Sequence, residues 1–213
     1  MARTLSPSSS NQVLDAGRKI MSAWLDGGGE GGGQANSLPR DLSLDASTGE
    51  LLQQFSPELK ALRTGSGAPA GLRSQQVEII ADFSVAAGAD PQAEFGVAVL
   101  LSEDGADAQR VGVLLGPQLV GAAGAAGPLS PAMAPGAAAA VHLHAIVDHG
   151  IISVIVNNRT AITVFVTPRD ADSSRVELYG VDGSTITATW QAWALRDAVI
   201  NNTAASRARK ARA

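Results

Sequence analysis

VHLHAIVDHGIISVIVNNRTAITVFV, residues 141–166, decides the fold. Val141, Leu143, Ala145 and Val147 alternate with His142 and His144, the period of a strand with one apolar face. Asp148-His149-Gly150 and Asn157-Asn158 then break the run with turn chemistry, leaving three extended segments in succession. All three histidines of the chain fall here. An H-x-H pair on a strand can present two imidazoles to one metal ion. The third ligand would have to be Asp148 or His149. Asp148 shares the face of His142 and His144 but lies four residues beyond His144, about 13 Å at strand rise, too far for one ion with bonds near ~2 Å. We therefore read a strand with two solvent-facing histidines and a polar tip, and assign no metal and no cofactor.

The same period extends outward. In VEIIADFSV, Val77, Ile79, Ala81, Phe83 and Val85 share one face, with Glu78, Asp82 and Ser84 on the other. EFGVAVLLS and RVGVLL follow as strands, joined by a turn containing Asp104-Gly105, a hairpin signal. Glu103, Asp104 and Asp107 are read as acids on a solvated turn. RVELYGV and STITATWQAWAL close the series. Residues 121–140, GAAGAAGPLSPAMAPGAAAA, carry little side-chain bulk to offset ordering entropy, and a mobile loop is expected. Many short strands with no helical period between them predict an all-β, two-sheet antiparallel sandwich, jelly-roll-like, over 72–197.

Upstream, residues 1–12 are Ser-rich and expected to be disordered. GRKIMSAWL reads as a strand, and GGGEGGGQANS as a flexible loop, since a phosphate-binding loop would need a Lys that is not there. SLPRDLSLDASTGELLQQ alternates extended pieces with a turn at Ser47-Thr48-Gly49. FSPELKALR predicts a short helix with Ser56 as N-cap, Pro57 in the first turn, Glu58 at the positive end of the dipole, and Leu59 and Leu62 facing one neighbour. Residues 56–71 form the linker, ending in GSGAPAGLRS, and 198–213 a basic tail.

Composition bounds the function. Over 213 residues the formal net charge is −4. Without the tail residues Arg207, Arg209, Lys210 and Arg212, 12 basic residues face 20 acidic ones, so the body stands at −8. That balance argues against a nucleic-acid partner. With no cysteine, disulfides, thiolate metal sites and cysteine nucleophiles are excluded. No run of 18 apolar residues predicts a membrane span. MARTLSPSSSNQ lacks the apolar centre of a secretory signal, and the compartment is left open. Asn158-Arg159-Thr160 and Asn201-Asn202-Thr203 match the N-glycosylation pattern, although Asn157-Asn158 is explained by the turn alone.

Taken together, QVEIIADF, EFGVAVLLSEDG, the 141–166 stretch and SSRVELYGVDGSTITATWQAWAL resemble the C-terminal β-sandwich of glycoside hydrolase family 32, the invertase, β-fructosidase and fructosyltransferase family. That module carries a hairpin of the type LHVFVDHSIVEVFANGGRTVIT and a closing Ala-Trp-x-Leu. Leu143, Val147, Asp148, His149, Ile151, Val154, Asn157, Arg159, Thr160, Ile162, Thr163 and Pro168 match the hairpin. Val176, Glu177, Leu178, Ala192, Trp193 and Leu195 match the end. Upstream, SLPRDLSLDASTGELLQQFSPELKALR is similar to the segment leaving the family's catalytic domain, and DAGRKIMSAWLDG to a strand of its last propeller blade. The resemblance marks residues 13–55 as a remnant of that blade. It makes Asp148, His149, Arg159, Thr160 and Trp193 signature residues of structural kind. Departures are local. Ser153 stands where the hairpin usually has Glu, Ser22-Ala23 where Trp-Gly is typical, and the 121–140 loop where members have a strand.

The resemblance further implies retaining hydrolysis of a β-fructofuranosidic bond by a carboxylate nucleophile and a carboxyl acid/base. The family's motifs for these groups (Asn-Asp-Pro-Asn-Gly, Arg-Asp-Pro and Glu-Cys) are absent from this sequence. No catalytic residue is assigned. The implied role is non-catalytic support of a catalytic propeller, in cis or in trans, in sucrose and fructan metabolism. Two alternatives stand beside it. One is the separated half of an active enzyme; the other is a stand-alone carbohydrate-binding module, with Tyr179 and Trp190 as candidate sugar contacts. Trp190 and Trp193 lie three apart on a strand and point to opposite faces, and the resemblance makes Trp193 the core residue of the two.

Overall fold

The computed structural model describes residues 10–15, 17–26, 34–134, 136–168, 170 and 172–197. Apart from one short 3-10 segment, its regular structure is all strand, in three antiparallel sheets. The first sheet holds β1 (Ser10–Asp15), β2 (Arg18–Asp26), β3 (Gln34–Asn36), β4 (Arg40–Leu44) and β5 (Leu51–Phe55). Its order is β1-β2-β4-β5, with β3 also on β2. The Ser47–Gly49 turn joins β4 to β5 as expected, with Gly49 at φ 72° and its N–H donating to Asp45 O. Strand β1 starts inside the segment expected to be disordered, pairing Ser10 with Ala23 of β2. Residues 1–9, the Gly-rich residues 27–33 and the tail 198–213 lie outside the described residues.

The linker differs from expectation. Pro57–Leu62 forms a 3-10 turn, and Ser56 makes no capping bond to it. The Ser56 hydroxyl donates instead to Asp41 Oδ1 at 2.6 Å. Glu58 is held by Arg18, with Nη1 to Oε1 at 2.6 Å. Tertiary carboxylate partners thus outcompete the local cap in a segment too short to build an α-helix. The chain continues as β6 (Arg63–Thr64).

The two sandwich sheets follow. The central sheet takes β6, β7 (Gln76–Val85), β12 (Ala139–Asp148), β13 (Ile151–Val156), β14 (Thr160–Phe165) and β16 (Ile186–Leu195), in the order β14-β13-β12-β7-β16-β6. The outer sheet takes β8 (Glu94–Leu101), β9 (Gln109–Leu114), β10 (Leu119–Ala122), β11 (Ala125–Pro128) and β15 (Arg175–Tyr179), in the order β11-β10-β9-β8-β15. Val77, Ile79, Ala81, Phe83 and Val85 of β7 meet Phe95, Val97 and Val99 of β8 in one apolar core. Phe83 and Phe95 pack with ring centroids 5.0 Å apart. Each fully buried side chain of this kind contributes about 1.5–3 kcal/mol.

The expected loop at 121–140 is corrected. Its first part is the β10–β11 hairpin, with Val120, Ala122, Ala125 and Leu129 buried in the core. Ala123 (φ 46°) and Gly124 (φ 87°) supply the two positive-φ positions of a type I′ turn. Low side-chain volume did not prevent a strand because the pairing partner, β9, lies alongside and supplies the backbone hydrogen bonds.

The central sheet is covered on both faces. The sandwich core covers one. Phe55 of the first sheet, with Ile146 and Ile155, forms a second apolar cluster on the other, against which Leu38, Leu59, Ala161 and Leu195 pack. Three layers result: first sheet, central sheet, outer sheet.

Candidate functional site

The contact between the first sheet and the central sheet brings together two of the residues singled out from sequence, Arg159 and His144. At its rim, Arg159 follows the positive-φ residues Asn157 and Asn158 of the β13–β14 turn. Its Nη2 donates to Asp45 Oδ2 at 2.6 Å and its Nε to Glu50 Oε2 at 2.8 Å. Main chain reinforces the bolt: Gln53 N donates to Asn158 O at 2.7 Å, and Gln53 Nε2 to Arg159 O at 2.6 Å. One turn of the sandwich is thus pinned to the β4–β5 hairpin. Thr160 is buried, and its hydroxyl donates to Pro128 O of β11. That contact ties the edges of the two sandwich sheets, and it leaves the hydroxyl of the Asn158-Arg159-Thr160 triplet already engaged.

Deeper in, polar groups are buried against one another. Glu78, 1% exposed, receives Arg63 Nε and Nη2, both at 2.6 Å, and lies 2.8 Å from His144 Nε2. Burial alone would raise its pKa. The guanidinium fork and the imidazole outweigh that and hold it at about 2. His144 also sets its ring edge-on to Phe55, centroids 4.8 Å apart. Of the two histidines expected to face solvent, His142 is the more exposed, its side chain at 39%; its Nδ1 lies 2.7 Å from Asp82 Oδ1. His144 points into the interface because the first sheet lies over that face, which strand period cannot reveal. Among the described residues no group of acids and histidines has the geometry of a metal site.

Arg40, 8% exposed, is a buried cation of the interface. Its Nη2 donates to Thr163 Oγ1 at 2.7 Å and its Nη1 to Gln53 Oε1 at 3.3 Å. Nε is buried without a hydrogen-bond partner among the described residues. Desolvation lowers its pKa. Ser153, the position where the family's hairpin carries Glu, is fully buried, with its Oγ 3.2 Å from Thr163 Oγ1. Sequence reasoning missed Arg40. Its neighbours in sequence carry no sign that a distant strand, bearing Thr163, covers it.

The remaining residues are placed as follows. Asp148 and His149 form the exposed tip of the β12–β13 hairpin, His149 at φ 51°. His149 N donates to Gln75 O at 2.8 Å and Asp148 Oδ1 accepts from Gln76 Nε2 at 3.0 Å, so the tip closes onto the start of β7. The two tryptophans lie on opposite faces as expected, and Trp193 is the buried one of the pair, although on the face away from the sandwich core. Trp190 packs on the sandwich core, whereas Trp193 lies on the other face. Trp193 is buried there by the linker, under Arg63 at 3.8 Å from its ring centroid and against Gly67. Tyr179 lies on the outer sheet, away from this interface.

Residues 118–194 match the family described as Glycosyl hydrolases family 32 C terminal. Within the sandwich, this segment resembles the C-terminal module of glycoside hydrolase family 32. Solved structures agree in fold. An exo-inulinase from Aspergillus awamori superposes with a TM-score of 0.70 at 17% identity, over 88% of this chain and 43% of that one. Fructan 1-exohydrolase IIa from Cichorium intybus gives 0.67 at 16% identity, over 92% and 49%. Sucrose-6-phosphate hydrolase from Lactobacillus gasseri gives 0.63 at 14%, over 91% and 41%. The chain therefore spans less than half the length of these proteins. No curated protein matches it in sequence.

Proposed function

We propose that this chain is the non-catalytic sandwich portion of a β-fructofuranosidase-like glycosidase. Residues 13–55 are then part of the last blade of a catalytic propeller, 56–71 the linker, and 72–197 the bracing module. The observation that carries this reading is the built joint between the first and central sheets. Arg159 with Asp45 and Glu50, Arg40 with Thr163, and Phe55 with His144 fix a sheet that could not bury its faces alone. The likeness to longer enzymes extends across nine-tenths of the chain, first sheet included.

The acids of the joint support a structural role. A general acid for glycoside cleavage needs a raised pKa so that it holds its proton near neutrality. Glu78, the one fully buried acid among the described residues, is driven the other way, to about 2. Glu58 is likewise held at about 2 by Arg18. Both are anions committed to arginine. The nucleophile and acid/base of the propeller would come from sequence that this chain does not contain.

The test is enzymatic. Sucrose, inulin and levan incubated with the purified chain should release no fructose. Co-expression with a family 32 propeller that lacks its own sandwich should raise that propeller's soluble yield and activity. Fructose release by the chain alone, or no effect on the propeller, would overturn the proposal.

A further inference from the structure

The outer sheet carries a groove on the face turned away from the first sheet. Its construction begins with glycine. Gly96 pairs with Gly112, and Gly112 with Gly121, so three glycines stand in a row across β8, β9 and β10. A Cβ on Gly96 or Gly112 would come within 2.1 Å of the facing strand's carbonyl oxygen, so neither position accepts a side chain. Tyr179, in register with Gly96, reaches across this bare backbone until its hydroxyl lies 2.5 Å from where a Gly112 Cβ would be. The ring covers the first two glycines. Gly121 remains as open floor, flanked by Leu114 and Leu119, and the β10–β11 hairpin forms the far wall.

The groove has a volume of about 450 Å³, within the roughly 300–1,000 Å³ of small-molecule sites. Its polar rim has one charge of each sign. Glu94 accepts the Tyr179 hydroxyl at 3.2 Å, and Arg110 lies over the ring at 5.3 Å from its centroid. Burial, aided by Glu94, raises the Tyr179 pKa, so the phenol stays neutral.

We infer that this groove binds a neutral saccharide. A phosphate or sulfate would be attracted by Arg110 and repelled by Glu94, and a cation the reverse. An uncharged polyol satisfies both, its hydroxyls donating to the carboxylate and accepting from the guanidinium. The apolar C–H face of a sugar ring has Leu114, Leu119 and the Tyr179 edge to lie against. Trp190, the other aromatic candidate from sequence, is turned into the core side of the central sheet and plays no part here. This inference does not rest on the propeller reading, because the groove and the first sheet occupy opposite sides of the sandwich.

The test is an amide-resolved NMR titration of the full chain with 1-kestose, maltotriose and inorganic phosphate as probes. Either sugar at millimolar concentration should shift Arg110, Gly121 and the residues of the β10–β11 hairpin saturably, and phosphate should not. Arg110→Ala and Glu94→Gln alter exposed side chains and should keep the thermal midpoint while weakening sugar binding about ten-fold or more. Failure of both sugars to shift these amides, shifts confined to other surfaces, stronger shifts with phosphate, or unchanged affinity in both variants would each overturn it.

Discussion

The two faces of the central sheet are held by different physics. On the inner face, Val77, Ile79, Ala81 and Phe83 meet the outer sheet with apolar atoms alone. On the other face, Glu78, Ser153 and Arg40 are buried and His144 and Thr163 half-buried, among Phe55, Ile146 and Ile155. Apolar burial is non-directional and rewards any close packing. A buried ion pair adds little net stability, but it is costly to break and so tolerates one geometry. The inner face therefore supplies stability, while the polar contacts that cross from the other face, Arg40 to Thr163 and Arg159 to Asp45 and Glu50, set the position of the first sheet.

The largest test of this contrast is on the inner face. Phe83→Ala should cost about 3–5 kcal/mol in a chemical denaturation series, by lost transfer energy plus a cavity. Glu78→Ala comes next, at about 3 kcal/mol, because it strands Arg63 beside Trp193 and leaves His144 without its acceptor. A loss below about 1 kcal/mol would mean that water replaces the carboxylate freely and that the packing around Arg63 and His144 is looser than its distances.

Acid should separate the faces without mutation. The Glu78 pKa is about 2 in the fold, below its ordinary value of 4.5, so its contribution is present above about pH 4.5. It is lost as pH falls toward 2. The thermal midpoint of the wild type should therefore drop over that window, and a Glu78→Gln variant should show a flatter profile. Equal slopes would remove Glu78 as the acid-sensitive group.

Arg40→Met inverts the usual expectation for a buried polar residue. Among the described residues one guanidinium nitrogen has no partner and no carboxylate lowers the cost of burial, so replacing it by an apolar chain of similar length should be neutral or stabilising by about 1 kcal/mol. A loss of about 3 kcal/mol would show that the Thr163 and Gln53 bonds outweigh desolvation. The smallest effect belongs to the exposed His142–Asp82 pair, where His142→Ala should stay within roughly 0.5 kcal/mol.

Much of this was legible in sequence because strand period is local. The alternation in VEIIADFSV and VHLHAIVD named the inner face residue by residue, and the turn residues at His149-Gly150 and Asn157-Asn158 marked both hairpins. The errors share one cause. His144 was expected in solvent, Ser56 as a cap and 121–140 as a loop, and each depended on what another part of the chain places alongside. Period assigns a side chain to a face and cannot say whether that face is covered. Composition weighs a segment's own side chains and takes no account of a neighbouring strand's hydrogen bonds.

From the order of its residues alone, this chain fixes an antiparallel sandwich, its turns, one apolar face and its likeness to family 32. Folding in three dimensions decided that the sheet bearing the signature hairpin is clad on both sides, and that Arg40 and Arg159 hold one cladding in place. It also laid Tyr179 across a glycine row beside an open groove. The physical reason is range: backbone periodicity acts between adjacent residues, whereas desolvation and ion pairing depend on whichever distant segment arrives to exclude the water.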